Sequence, residues 1–505
     1  MVLYSDPPRV DHYREMTELA ASMYLPRQSL LPRVWRLGAA AVALGLLALG
    51  LVDAFQSVEV SFALAVVGGL ALTGLLLLTI RHFDTAVAIG LLLMGVVRFE
   101  PAPTDLVFAV VIAVAAITGR FYLARVPRLM RWIVALLLII NLLSLTDVVS
   151  GSLAIRFLFI TVYLAIFALW LAGWVDSPRH ARMVAATWLG VAVASAVISV
   201  LALNVHIPGQ EFILGTKDNG ERASGLFKDP NVFGPFLVPI TVILLEQRIA
   251  PRVPQPIRLR ALTSWLCLVV LCVGVLLSYS RAAWANLVIA FVVMLVVSSM
   301  RRAGARRALR ALIVLLATGG AVLMLLSVTG AVGFLEHRAQ SQSYDTQRFA
   351  AQSFGWKLGW AHPVGIGPGQ FHAYFPVDPH STFVRVFSEQ GPFGLLVWIA
   401  LLLATLVFAL RNVVVGRDTY GIGSAALLGA WCGLIFNSTV VDTLHWRHLW
   451  VVAALIWAGA MRTRPGRGEG ASSAGQLARP NGGRPRPRRA PRTIVHPRPA
   501  SARLR

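Results

Sequence analysis

About fourteen apolar stretches, most of them near twenty residues long and bounded by charge or by Pro and Gly, run along the 505-residue chain. A stretch of that length matches the roughly 30 Å hydrocarbon core of a bilayer, where only a helix or a closed barrel can satisfy its own backbone. The runs lie at about 36–54, 58–80, 83–98, 104–119, 131–149, 153–174, 181–203, 231–248, 261–279, 282–300, 311–329, 393–411, 421–441 and 447–461. With 57% hydrophobic residues and a mean hydropathy of +0.69, the chain is too apolar for a soluble domain. The expectation is an all-α polytopic membrane protein with about 12–14 transmembrane helices.

The formal net charge of +23 does not point to a nucleic-acid partner, because the basic residues sit between apolar runs rather than along one soluble face. Almost all of them are Arg; Lys occurs only at Lys217, Lys228 and Lys357. Their distribution predicts orientation through the excess of positive charge on cytoplasmic connections. Connections 120–131, 179–182, 248–260, 301–310 and 411–417 are Arg-rich, as is the tail beyond 462. Both termini are therefore expected in the cytoplasm, with the protein in the inner membrane. Residues 1–35 are polar and Arg-rich, so no cleavable signal peptide is read there. Cys267, Cys272 and Cys432 lie within apolar runs and read as small buried hydrophobes.

This topology divides the chain into a cytoplasmic N-terminal segment (1–35), a bundle of about eleven helices (36–329), a long extracytoplasmic loop (330–392), about three C-terminal helices (393–461) and a basic tail (462–505). The Pro- and Arg-rich tail is expected to be disordered and to lie against anionic lipid. A second long outer connection spans about 204–230. Long polar loops on a rigid scaffold are where function concentrates, so the chemistry is sought in these two.

The first ends in Arg222-Ala-Ser-Gly, followed by Asp229-Pro-Asn231 where a helix opens and Asn231 is placed to cap it. Ser278-Tyr-Ser-Arg281 joins two apolar runs so tightly that Arg281 must sit at the outer membrane surface. An Arg there is costly unless it snorkels, meets an anion or lines a wet cavity. The long loop carries Arg348, Trp356, Trp360, the segment His362-Pro-Val-Gly-Ile-Gly-Pro-Gly369, then His380-Ser381 and, nine residues on, Gly391-x-x-Gly394. The Gly-rich segment lacks the Lys-Ser/Thr ending of a P-loop. No Asp-x-Asp occurs, which disfavours transfer through a bound divalent cation, and neither metal nor cofactor is expected. Arg residues can stabilise a diphosphate leaving group, and a neutral His suits the deprotonation of a hydroxyl.

Taken together, these pieces resemble the O-antigen ligase and polysaccharide polymerase superfamily of membrane glycosyltransferases. The resemblance covers about residues 204–394, and its most specific part is the His380-Ser381, Gly391-x-x-Gly394 pattern. It implies a metal-independent glycosyltransferase taking an undecaprenyl-diphosphate-linked oligosaccharide as donor and a glycan, lipid or protein as acceptor. His380 would act on the acceptor hydroxyl, and Arg222 and Arg281 would bind the donor diphosphate. Arg348, Asn231, Ser381 and Glu389 would complete the substrate site, Glu389 in a structural or charge-compensating role. Trp356, Trp360, Tyr374 and Phe375 would stack on sugars, or else belong to the interfacial belt or the loop's own core. The competing reading is a multi-pass transporter of a small anion or solute, which predicts ionisable residues at mid-membrane and broken helices in both halves.

Overall fold

The structure is a computed structural model that describes residues 62–98, 101–217, 220–251, 254–300 and 343–461, with a few isolated positions between 306 and 320. Single helical turns aside, α1 (Phe62–Arg81), α2 (Phe83–Leu93), β1 (Val96–Val97), α3 (Pro103–Ile117), α4 (Arg128–Leu143), α5 (Gly151–Trp174) and α6 (Pro178–Asn204) come first. A hairpin of β2 (Leu214–Lys217) and β3 (Gly220–Ala223) follows, then β4 (Leu226–Phe227), α7 (Pro230–Ile249), α8 (Ala261–Leu277) and α9 (Arg281–Ser299). The last elements are α10 (Ser343–Ala361), α11 (Thr382–Val415), α12 (Ser424–Val440) and α13 (Arg447–Met461). Twelve of the expected apolar runs are thus helices. Run 36–54 lies outside the described residues, and run 311–329 almost entirely so.

This is a membrane protein: α4 with its extension to Asp147, α5, α6, α7, α9 and α11 are long and apolar enough to cross a bilayer, and six shorter apolar helices pack with them. Helix starts follow local chemistry. Ser177, Asp229 and Ser280 accept backbone N–H groups at the heads of α6, α7 and α9, and Pro occupies the first position of α3, α6 and α7. Asp229, not Asn231, caps α7 by accepting from the Asn231 N–H at 2.8 Å. The earlier carboxylate reaches back into the turn, leaving the Asn231 side chain available for another partner.

Two differences from the sequence expectation concern residues 330–392. A nineteen-residue helix, α10, occupies part of the supposed loop; its polar sequence gave no apolar run to detect. And α11 begins at Thr382, not near 393, with a kink at Gly391 joining a polar first part to the apolar span.

The core is built around α13, nearly all of whose side chains are buried, including Trp450 and Trp457. Three of its indole N–H groups find carbonyl or hydroxyl partners: Trp431 donates to the Leu402 carbonyl (3.1 Å), Trp450 to Leu444 (2.8 Å) and Trp457 to Thr405 Oγ1 (3.0 Å), whereas those of Trp170 and Trp398 meet no partner among the described residues. Gly429 and Gly433 let α12 press on α9, where a Cβ would collide with Ala290 and Asn286.

Candidate functional site

One end of the bundle opens into a cavity of about 1320 Å³. Arg222, Asn231, Arg281, Arg348, His380 and Glu389 all line it, from five separate chain segments. Ser381 does not; it is buried at the head of α11.

Arg222 stands on β3, opposite Gly215 of β2. Its Nε donates to the Ser278 carbonyl at 2.9 Å and its Nη2 to Asn231 Oδ1 at 3.3 Å. The first and second sequence motifs are therefore one structural unit, with the Ser278 turn fixing the guanidinium. That turn is tight enough to hold Tyr279 at φ 47°, and Ser280 then caps α9 so that Arg281 occupies its first helical position. Arg281 Nη2 donates to both carboxylate oxygens of Asp345 at 2.7 and 2.9 Å. The pairing fastens α10 over the head of α9 and sets the direction of the Arg281 side chain.

The Gly-rich segment has a different role from any anion cradle. Pro392 has no N–H, so the carbonyl of Ser388 lacks its helical donor and accepts instead from the Ile366 N–H at 3.0 Å. The kink at Gly391 frees the Glu389 carbonyl for the Gly367 N–H at 3.0 Å, and Glu389 Oε2 takes the Gly369 N–H at 2.9 Å. Gly365 and Gly391 have φ 93° and 70°, and a Cβ at either would strike the facing backbone. Gln370 Oε1 continues the clasp by accepting from the N–H groups of Val149 and Ser150, at 3.0 and 2.7 Å. The two sequence motifs, one Gly-rich and one Gly391-x-x-Gly394, are the two halves of this clasp. Glu389 is its buried pin, with Oε1 left without a hydrogen-bond partner among the described residues.

His380 precedes α11 in the left-handed region, φ 46°, a conformation that costs a non-glycine residue about 1 kcal/mol. Burial pushes its imidazole down to about 4, and the Arg348 charge pushes the same way, against Asp378 and Asp229. At neutral pH the ring is uncharged and able to accept a proton.

Residues missed at the sequence level complete the walls. Arg385, one turn into α11, is buried between Asp378, with which it makes a short ion pair, and Asp442 at 3.2 Å. It thereby ties the segment carrying His380 to the connection before α13, which Thr382 also holds by accepting the Thr443 N–H at 2.7 Å. Arg447 pairs with Asp105 across the bundle, and Arg156 and His445 line the same cavity. The sequence reading did not single out Arg385, whose carboxylate partner Asp442 lies 57 residues away along the chain. Among the described residues, no three His, Cys, Asp or Glu side chains gather as a metal site requires.

The aromatic residues of the segment divide. Trp356 and Trp360 pack on Phe387 (ring centroids 4.8 and 5.2 Å) and are exposed, whereas Tyr374 and Phe375 join a small core with Ala351, Leu358, Ile366 and Phe371.

Fold and cavity together define a polytopic helical membrane protein with a chamber at one end of its bundle, lined by arginines set among apolar side chains. Residues 266–399 match the family model described as O-Antigen ligase, so the chain is O-antigen ligase-like over that stretch and points to an enzyme of glycan transfer in the membrane. The matched residues hold Arg281, Arg348, His380, Glu389 and both halves of the clasp, but not the Arg222 hairpin. No curated protein matches the chain.

Proposed function

We propose that the protein transfers or polymerises glycan from an undecaprenyl-diphosphate-linked donor onto an acceptor hydroxyl, at the outer face of the inner membrane and without a metal ion. The observation that carries this reading is the convergence of a neutral His380 with Arg222, Arg281 and Arg348 on one cavity. His380 takes the proton of the acceptor hydroxyl as its oxygen forms the new bond to the anomeric carbon. The bond from that carbon to the diphosphate oxygen breaks, and the electron pair leaves with the lipid diphosphate. Arg222, held by Ser278 and Asn231, and Arg281, held by Asp345, stabilise the charge that develops there. In a chamber of low dielectric such contacts are worth more than in water. Glu389 acts through the clasp. The positive-inside distribution of Arg supports the outward placement of the cavity.

The test is transfer by the full chain in proteoliposomes, with an undecaprenyl-diphosphate-linked oligosaccharide as donor, read as released lipid diphosphate and as new glycan linkage. Replacing His380 with Ala should remove both signals while the protein still inserts. Full turnover by that variant would remove His380 from the reaction. Deleting the gene then separates acceptors: shorter surface glycan indicates polymerisation, and accumulated unattached lipid-linked glycan indicates ligation.

A further inference from the structure

The opposite end of the bundle holds a second cavity, of about 450 Å³, among the ends of α1, α3 and α5 and the heads of α2 and α6. Arg98 before α3 belongs to the first cavity and Arg120 after it to the second, so the two chambers face opposite ways along the same helices.

The carboxylates of the second cavity are committed. Asp84 pairs with Arg179 at 2.8 Å, and Asp176 pairs with Arg125 and with His180 Nδ1, the latter at 2.9 Å. Arg81 and Arg120 line the same space and are exposed, and among the described residues no carboxylate meets either of them. The Arg120 guanidinium instead lies 4.9 Å from the Phe83 ring centroid, which positions it without neutralising it. Beside these two charges, α1 and α3 pack on one another and expose Leu77, Ile80 and Ile117, half or more of each surface accessible. Guanidinium groups with no carboxylate among the described residues, at or just past the ends of two packed helices whose last turns expose apolar side chains, match a molecule with a phosphate head and hydrocarbon tails.

We propose that this cavity binds the phosphate headgroup of an anionic glycerophospholipid between Arg81 and Arg120, with its acyl chains along Leu77, Ile80 and Ile117. A free phosphate would meet the same two arginines but would leave the apolar strip unused.

The experiment uses the full chain in detergent, exchanged into vesicles of phosphatidylcholine with or without phosphatidylglycerol, and read by native mass spectrometry of retained lipid and by thermal unfolding. Wild type should retain phosphatidylglycerol and melt higher with it, while inorganic phosphate at matched concentration should give no such protection. The R81Q/R120Q double variant should bind about fivefold more weakly for each arginine removed, and R81K/R120K should keep most of the affinity. Equal retention by R81Q/R120Q and wild type would overturn the proposal, and protection by inorganic phosphate equal to that by the lipid would overturn the lipid assignment. Should the glutamine variant not fold, raising salt on the wild type decides: retention must fall with ionic strength, and salt-independent retention would overturn the site.

Discussion

At the His380 end of the bundle, Arg281, Arg385 and Arg447 are each held by a carboxylate, and the Arg385 and Arg447 side chains are almost wholly enclosed. At the other end, Arg81 and Arg120 stand exposed with no carboxylate partner among the described residues. The same residue type therefore does two jobs. A buried, paired guanidinium is fixed in direction and holds its neighbours, as Arg385 holds the His380 segment against the connection before α13. It supplies a preorganised field that need not rearrange during reaction. An exposed, unpaired one keeps its full charge for whatever arrives. If this contrast is right, replacing arginines at the two ends should have very different consequences.

The largest effect is expected where the contrast meets chemistry. Replacing His380 with Ala should lower turnover by about 10²-fold or more with an unchanged melting temperature, measured in the proteoliposome transfer assay. Next comes Arg385→Gln, which leaves Asp378 and Asp442 facing each other without their shared cation. Both carboxylates keep some contact with solvent, so the loss should fall below the about 3–5 kcal/mol of a fully buried pair while still lowering the melting temperature clearly. By contrast, Arg120→Gln should stay within about 0.5 kcal/mol of wild type in a lipid-free measurement. Equal losses from Arg385→Gln and Arg120→Gln would break the comparison.

Gly391→Ala places a methyl against the Pro363 carbonyl at a left-handed φ, so it should destabilise the protein by about 1–3 kcal/mol and lower turnover without altering donor binding in proportion. A variant with weakened donor binding and unchanged turnover would move the clasp's influence to the arginine wall.

Apolar run length is a local quantity, so twelve helices were legible and their ends nearly so. The polar helix α10 and the polar start of α11 were not, because nothing in their hydropathy separates them from a loop. Arg222, Arg281 and His380 were legible as motifs and Arg348 only as a basic residue of the same long connection; charge distribution put them on one expected face, but their meeting in one cavity needed the fold. The partners Asp345, Asp378 and Asp442 were invisible because ion pairing across distant segments leaves no trace in spacing. The partner of the Gly-rich segment was hidden for a related reason. The segment's amides are used by carbonyls that Pro392 and Gly391 release, a relationship that exists only once the two stretches are folded together.

The acid limb of activity distinguishes an arginine wall that tunes His380 from one that merely neighbours it. Burial and Arg348 bring the imidazole down to about 4 from 6.5, so kcat/KM should be level from neutral pH to about 5 and fall as pH drops through 4, where the base is protonated. The same depression has a stability consequence of definite sign. Between 6.5 and about 4 the unfolded chain binds a proton that the folded chain does not, so this group destabilises the fold progressively as pH falls through that window. Replacing Arg348 with Ala removes a positive charge facing the ring, which must raise its proton affinity. The acid limb should then move toward neutrality, and the acid-side loss of stability should shrink with it. An acid limb that stays in place would mean that burial and the other charges around the ring set the base, leaving Arg348 to the donor diphosphate.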